Sequence, residues 1–240
     1  MKIIDKICKK QDSLRNHPAL TIALLGDSVT QGCFECYTDR KGDLQTVFDY
    51  ESSYGNRLKG MLNTLYPCVP FHVINAGISG DNAQGGLKRL ERDVLSFRPD
   101  LVIVGFALND SLSGKDGLDA YKEALSEIVR RVIASGAECI VLTPNAMNIT
   151  LSDREKDASY EKNAKKFMRI QTEGMLDLYA EAAREVAKQN GATICDVYAK
   201  WKKMIAAGVD VTELLANRLN HPLRELHYMT AMMLCDCILG

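Results

Sequence analysis

No run of apolar residues in this 240-residue sequence approaches the roughly 20 needed to span a bilayer. The two longest, residues 101–108 and 228–234, are the size of buried elements of a globular core. An excess of either charge is also missing. Lys+Arg 30 against Asp+Glu 31 leaves a net charge of −1, which gives no sign of the strongly basic surface expected of a nucleic-acid binder and leaves room only for a local patch. The opening MKIIDKICKKQD is broken by charge before a secretory hydrophobic stretch could form. Without an export signal, the eight scattered cysteines are expected to stay reduced in a cytoplasm. Cys33-Phe34-Glu35-Cys36 matches C-x-x-C but lacks the second pair that would complete a tetrahedral metal site, and Cys235 and Cys237 face different directions in the last helix. No G-x-G-x-x-G follows an apolar run, so a dinucleotide fingerprint is absent. Internal repeats, low-complexity tracts and Pro/Ser-rich linkers are absent too, and a single domain over residues 1–240 is expected.

What the sequence does hold is 46% hydrophobic and 25% charged residues, enough apolar material to offset the entropy of ordering the chain. Five apolar runs, at 21–25, 71–75, 101–104, 139–142 and 193–197, are continuous rather than alternating. That pattern predicts parallel strands buried on both faces. Helical patterns follow them at about 54–66, 86–96, 118–135, 160–189 and 224–239. In the third of these, Ala120, Ala124, Ile128 and Val132, with Leu125, Val129 and Ile133, make an apolar stripe at helical spacing. Ser135-Gly136 and Asn190-Gly191 supply stops before the fourth and fifth strands. The alternation predicts an α/β fold, a three-layer α/β/α sandwich with a five-stranded parallel sheet. Segments 31–53 and 144–159 are longer than connections need and would emerge at the carboxyl edge of the sheet, as ligand-binding loops or as plain surface. The charge clusters 153–156 and 162–169 are expected to form a solvated helix face.

Four positions carry the chemistry this layout allows. The first strand runs into Gly26-Asp27-Ser28-Val29, where a serine at a sharp strand-to-helix turn exposes its hydroxyl. By itself Ser28 reads more readily as a helix N-cap. A P-loop is excluded, since GDSVTQGC lacks the Gly-Lys-Ser/Thr ending. The second strand leads into Asn75-Ala76-Gly77-Ile78-Ser79-Gly80-Asp81, where Gly80 offers an N–H donor or simply a turn of positive φ. The third ends in Ala107-Leu108-Asn109-Asp110, and Asn109 can hydrogen-bond an oxyanion or cap a turn. Asn220-His221-Pro222 precedes the last helix. Of the four histidines, His72 opens an expected buried strand, His17 lies before the first strand and His227 falls inside the last helix. His221 is therefore the preferred base, with His227 in reserve. An ordinary imidazole there predicts kcat/KM falling as pH drops through roughly 6–7.

Together GDSV, NAGISGD, ALND and NHP, spread in this order over nearly the whole chain, resemble the four blocks of the SGNH (GDSL-type) hydrolase superfamily. The resemblance implies a flavodoxin-like fold and hydrolysis of acyl esters. It implies Ser28 as nucleophile, Gly80 and Asn109 as oxyanion-hole donors beside the Ser28 N–H, and His221 as base. The implied partner is a small-molecule acyl ester, with no metal or organic cofactor. Sugar O-deacetylation, thioester hydrolysis or noncatalytic ligand binding on the same scaffold are the alternatives. One position departs from the family pattern: Arg218 stands three residues before the histidine, where an Asp usually orients the imidazole. A backbone carbonyl, Asn217 or an acid from elsewhere could take that part.

Overall fold

The computed structural model describes residues 1–152 and 158–240, and the cluster at 153–156 lies outside them. Five parallel strands form the central sheet: β1 (Leu20–Gly26), β4 (Phe71–Gly77), β5 (Leu101–Gly105), β6 (Glu138–Leu142) and β7 (Thr193–Cys195), with β2 (Cys33–Thr38) and β3 (Leu44–Phe48) paired separately as an antiparallel hairpin. The sheet order is β4-β1-β5-β6-β7, the flavodoxin-like arrangement. The chain adds β4 on one side of β1 and β5, β6 and β7 on the other, so the strand order reverses between β1 and β5, the switch point at whose carboxyl ends such sheets bind ligands.

Along β1, alternate residues enter opposite layers. Leu20, Ile22 and Leu24 join a core with Ile3, Leu58, Trp201 and Leu234, from α1 (Lys2–Asp12), α3 (Tyr54–Leu65), α8 (Val197–Ala206) and α9 (Arg224–Leu239). Ala23 and Leu25 join a second core with Leu90, Ile128 and Val186, from α4 (Ala83–Asp93), α5 (Leu118–Ala134) and α7 (Met175–Asn190). The three-layer sandwich follows from this division. A sheet coated on both faces explains why the central strands read as continuous apolar runs. β4 differs, because it is an edge strand: His72 is exposed there rather than buried.

Several sequence expectations shift. The helix expected over 160–189 is two helices, α6 (Ala158–Thr172) and α7, separated at Gly174, whose φ of 79° ends one and begins the other. The fifth strand stops at Cys195, because the Asp196 side chain accepts from Ala199 N–H and starts α8. The helix expected from 86 begins at Ala83, just after the second block, and is capped by Asn82. In α1, Ile3 and Ile7 are buried beneath charged neighbours that mask the helix in the sequence. Segment 31–53 contains the β2–β3 hairpin, and residues 144–148 are buried instead of lying on the surface.

Candidate active site

The sheet assembles one side of the site by register. Gly26 pairs with both Gly77 and Gly105, so the three strands end level with one another. Side chains would not fit at two of these positions: a Cβ on Gly26 would lie 2.6 Å from the Gly105 carbonyl oxygen, and one on Gly77 would lie 2.3 Å from the Gln31 nitrogen. The loops that follow are therefore brought close together. Arg89, buried on α4, ties two of them down, donating to the carbonyls of Gly26 (2.9 Å) and Ala76 (2.5 Å) and to Asp81 Oδ2 (2.7 Å). Asn109 donates from Nδ2 to the Asp81 carbonyl (2.8 Å), joining the third block to the second. One amide hydrogen of Asn109 remains beyond that bond.

Ser28 opens α2 (Ser28–Gln31), so its N–H has no acceptor within the helix. Asp27 holds the helix cap instead, accepting from Val29 N–H at 2.9 Å. Burial pushes the Asp27 carboxyl up to about 7, against the opposing Val29 hydrogen bond. Asp110, which accepts from Ala83 N–H, is likewise raised by burial to about 6. Gly80 is exposed with a φ of +79°, as a turn requires. Ala107 has a φ of 137°, a region that favours glycine, two residues before Asn109.

His221 arrives from the opposite side. Its Nε2 lies 3.0 Å from Ser28 Oγ, and its Nδ1 lies 3.0 Å from the Phe34 carbonyl oxygen. A carbonyl can only accept, so Nδ1 carries the hydrogen and the Ser28 hydroxyl donates to Nε2. Both side chains are buried, and burial lowers the His221 imidazole to about 4, partly opposed by the Phe34 hydrogen bond. The imidazole therefore lies well below the ordinary histidine value assumed from the sequence. His227 makes no such contact with Ser28. Its Nδ1 accepts from Tyr54 N–H (3.1 Å), its ring packs 4.7 Å from that of Phe34, and burial holds it neutral, down to about 3.

Of the candidates for orienting the imidazole, the Phe34 carbonyl occupies the position. Asn217 acts on the loop, its Oδ1 accepting from the N–H groups of Leu219, Asn220 and His221 at 3.0, 2.9 and 2.9 Å. Arg218 turns to Glu213 (2.9 Å) and the Thr212 carbonyl (3.3 Å). Segment 144–152 braces the same loop, with Asn145 donating to the Asn220 carbonyl (2.8 Å) and Asn148 N–H to the Leu219 carbonyl (2.9 Å). Phe34, Arg89 and Asn145 were not singled out by the sequence. A backbone carbonyl leaves no residue signature, and Arg89 lies in an expected helix, where a single charge carries no signal of its own.

Beneath these residues lies a cavity of about 30 Å³ bordered by Asp27, Thr30, Tyr54, Asn145 and His227. Neither Ser28 nor His221 borders it, and it has room for a water rather than a substrate. Among the described residues no group of three or more His, Cys, Asp or Glu could hold a metal, and no helix is long and apolar enough to cross a membrane.

An acetylxylan esterase of Geobacillus stearothermophilus is 23% identical over 193 residues, covering 77% of this chain and 78% of its own. Esterase TesA of Pseudomonas aeruginosa is 33% identical over 72 residues, 30% of this chain and 35% of that protein. A lipase/acylhydrolase from Enterococcus faecalis superposes with a TM-score of 0.66 at 23% identity, over 91% of this chain and 95% of that one. A two-domain esterase active on acetylated mannans gives 0.67 at 22% identity, over 97% of this chain and 52% of its own. At these identities the superpositions establish the SGNH hydrolase fold. The sequence profile of the GDSL-like Lipase/Acylhydrolase family matches residues 24–227, from the first strand through the loop that carries His221. The chain therefore belongs to the GDSL-like lipase/acylhydrolase family and is an ester hydrolase.

Proposed function

We propose that this protein cleaves small carboxylic esters through an acyl-enzyme on Ser28, with His221 as base. The hydrogen bond from Ser28 Oγ to His221 Nε2 carries the reading. Neutral His221 takes the hydroxyl proton as Oγ attacks the acyl carbonyl. The resulting oxyanion is met by the N–H groups of Ser28 and Gly80 and by the Asn109 amide. The imidazolium then protonates the departing alcohol, and water repeats the cycle on the acyl-enzyme, regenerating the serine. The Phe34 carbonyl keeps the tautomer that this sequence needs, the service a carboxylate performs in a triad.

A panel of aryl acetates, longer acyl esters, acetylated xylo-oligosaccharides and acyl thioesters, turned over by wild type and Ser28→Ala, tests the proposal. The variant should lose a factor on the order of 10⁴ or more while its fold persists. Near-wild-type turnover would overturn the nucleophile assignment. Because the lowered imidazole must be unprotonated to accept, kcat/KM should stay level through pH 6 and fall only as pH drops toward about 4. A limb at 6–7 would contradict the buried His221.

A second reading, O-deacetylation of a carbohydrate, is favoured by the acetylxylan esterase relative and by exposed rings on and beside the hairpin. Phe48 and Tyr50 stack at 6.2 Å, and Tyr37 is 53% exposed on β2, apolar faces of the kind that sugar rings pack against. Acetylated xylo-oligosaccharides turned over far better than aryl acetates would select it.

A further inference from the structure

We propose that Arg224 is a positioning residue for His221: it clips the β2–β3 hairpin to α9 and so holds the Phe34 carbonyl against the imidazole. The inference rests on the Ser28–His221 reading of the site. Arg224 is the first residue of α9, three positions after His221. Its guanidinium grips the hairpin at one strand and just past the end of the other. Nη1 and Nη2 reach the two oxygens of Glu35 at 2.5 and 3.2 Å, and Nε reaches Asp49 Oδ2 at 2.7 Å. Glu35 follows Phe34 on β2, while Asp49 follows the last residue of β3 and returns its N–H to the Gly32 carbonyl (2.9 Å). The clip thus closes on the hairpin at the level of Phe34.

The Phe34 ring is fixed between two side chains of the same helix. The Arg224 guanidinium carbon lies 4.3 Å from the ring centroid, and the His227 ring lies 4.7 Å away. A carboxylate at the usual triad position could follow a shifting imidazole by rotating its own side chain. A backbone carbonyl moves only with its strand, so whatever holds the strand holds the ring. The clip is partly exposed, with side chains 28–42% accessible, and ion pairs of that exposure add little to fold stability. Its planar fork is suited to fixing direction, which a lysine cannot reproduce.

Arg224→Met and Arg224→Lys, each compared with wild type on an aryl acetate, test this. Arg224→Met should lower kcat about tenfold with KM changed less than about twofold, and Arg224→Lys should fall between. The imidazole Nδ1–H proton of His221, followed by NMR in the resting protein, should leave its downfield hydrogen-bonded position in Arg224→Met. Should that variant fail to fold, Glu35→Gln combined with Asp49→Asn releases the same clip from the hairpin side and must give the same loss and the same spectral change. Unchanged kcat and an unmoved resonance overturn the proposal, as does a fall in kcat with the resonance in place. The resonance needs no turnover, so it separates failure of this positioning role from failure of the acyl-enzyme reading, which Ser28→Ala decides.

Discussion

The two halves of the Ser28–His221 hydrogen bond are held by different means. Ser28 stands at the end of a central strand, on a sheet whose level Gly26, Gly77 and Gly105 ends and buried Arg89 fix the backbone on every side. His221 stands on an irregular loop with no strand beneath it. Its position depends on Asn217, on segment 144–152 and on one carbonyl of a hairpin outside the main sheet. The proposed nucleophile thus takes its place from backbone register, and the proposed base takes its place from individual hydrogen bonds. Damage on the two sides should differ in kind.

The largest effect is expected on the imidazole side. Asn217→Ala removes one oxygen that satisfies three buried N–H groups and should cost about 3 kcal/mol of stability, with kcat lowered about tenfold as the loop loosens. Denaturant unfolding and ester turnover measure the two effects. A variant with wild-type stability would show that the sheet, not the loop, fixes His221.

The next effect sharpens the nucleophile side. The folded pKa of Asp27 lies above its unfolded value, so ionising it costs stability as pH rises from about 4 through about 7. Asp27→Asn keeps the cap oxygen and removes that cost. Its unfolding free energy should exceed that of wild type by about 2 kcal/mol or more at pH 8 and match it near pH 4. Equal gains at both pH values would contradict the buried-carboxyl account. The smallest effect concerns the strained third block. Ala107→Gly should relieve the φ of 137° and gain about 1 kcal/mol in denaturant unfolding, and a loss of stability would mean that the methyl group's packing outweighs the strain.

The same contrast explains what the sequence made legible. The β1, β5 and β6 runs were readable because both faces are buried, and Ser28, Asn109 and His221 because their side chains carry the chemistry. The junction at Gly174 was hidden because an apolar stripe continues across it from α6 into α7. α1 was hidden because Lys and Asp residues alternate with its Ile3 and Ile7 anchors. The hairpin was hidden because segment 31–53, though it holds Phe34, Tyr37, Phe48 and Tyr50, has no continuous apolar run like those of the central strands. Above all, the partner of His221 is a carbonyl that any residue at position 34 would supply. Only the path of the chain says that it is there.

The central claim is that the Ser28 hydroxyl is a nucleophile activated by His221. Intact-mass analysis after treatment with an activated organophosphorus reagent tests it most directly. Wild type should gain one adduct per chain, localised to Ser28 by peptide mapping, with labelling slowed by orders of magnitude in His221→Ala and abolished in Ser28→Ala. Stoichiometric labelling at another residue, or none while ester turnover persists, would contradict the account.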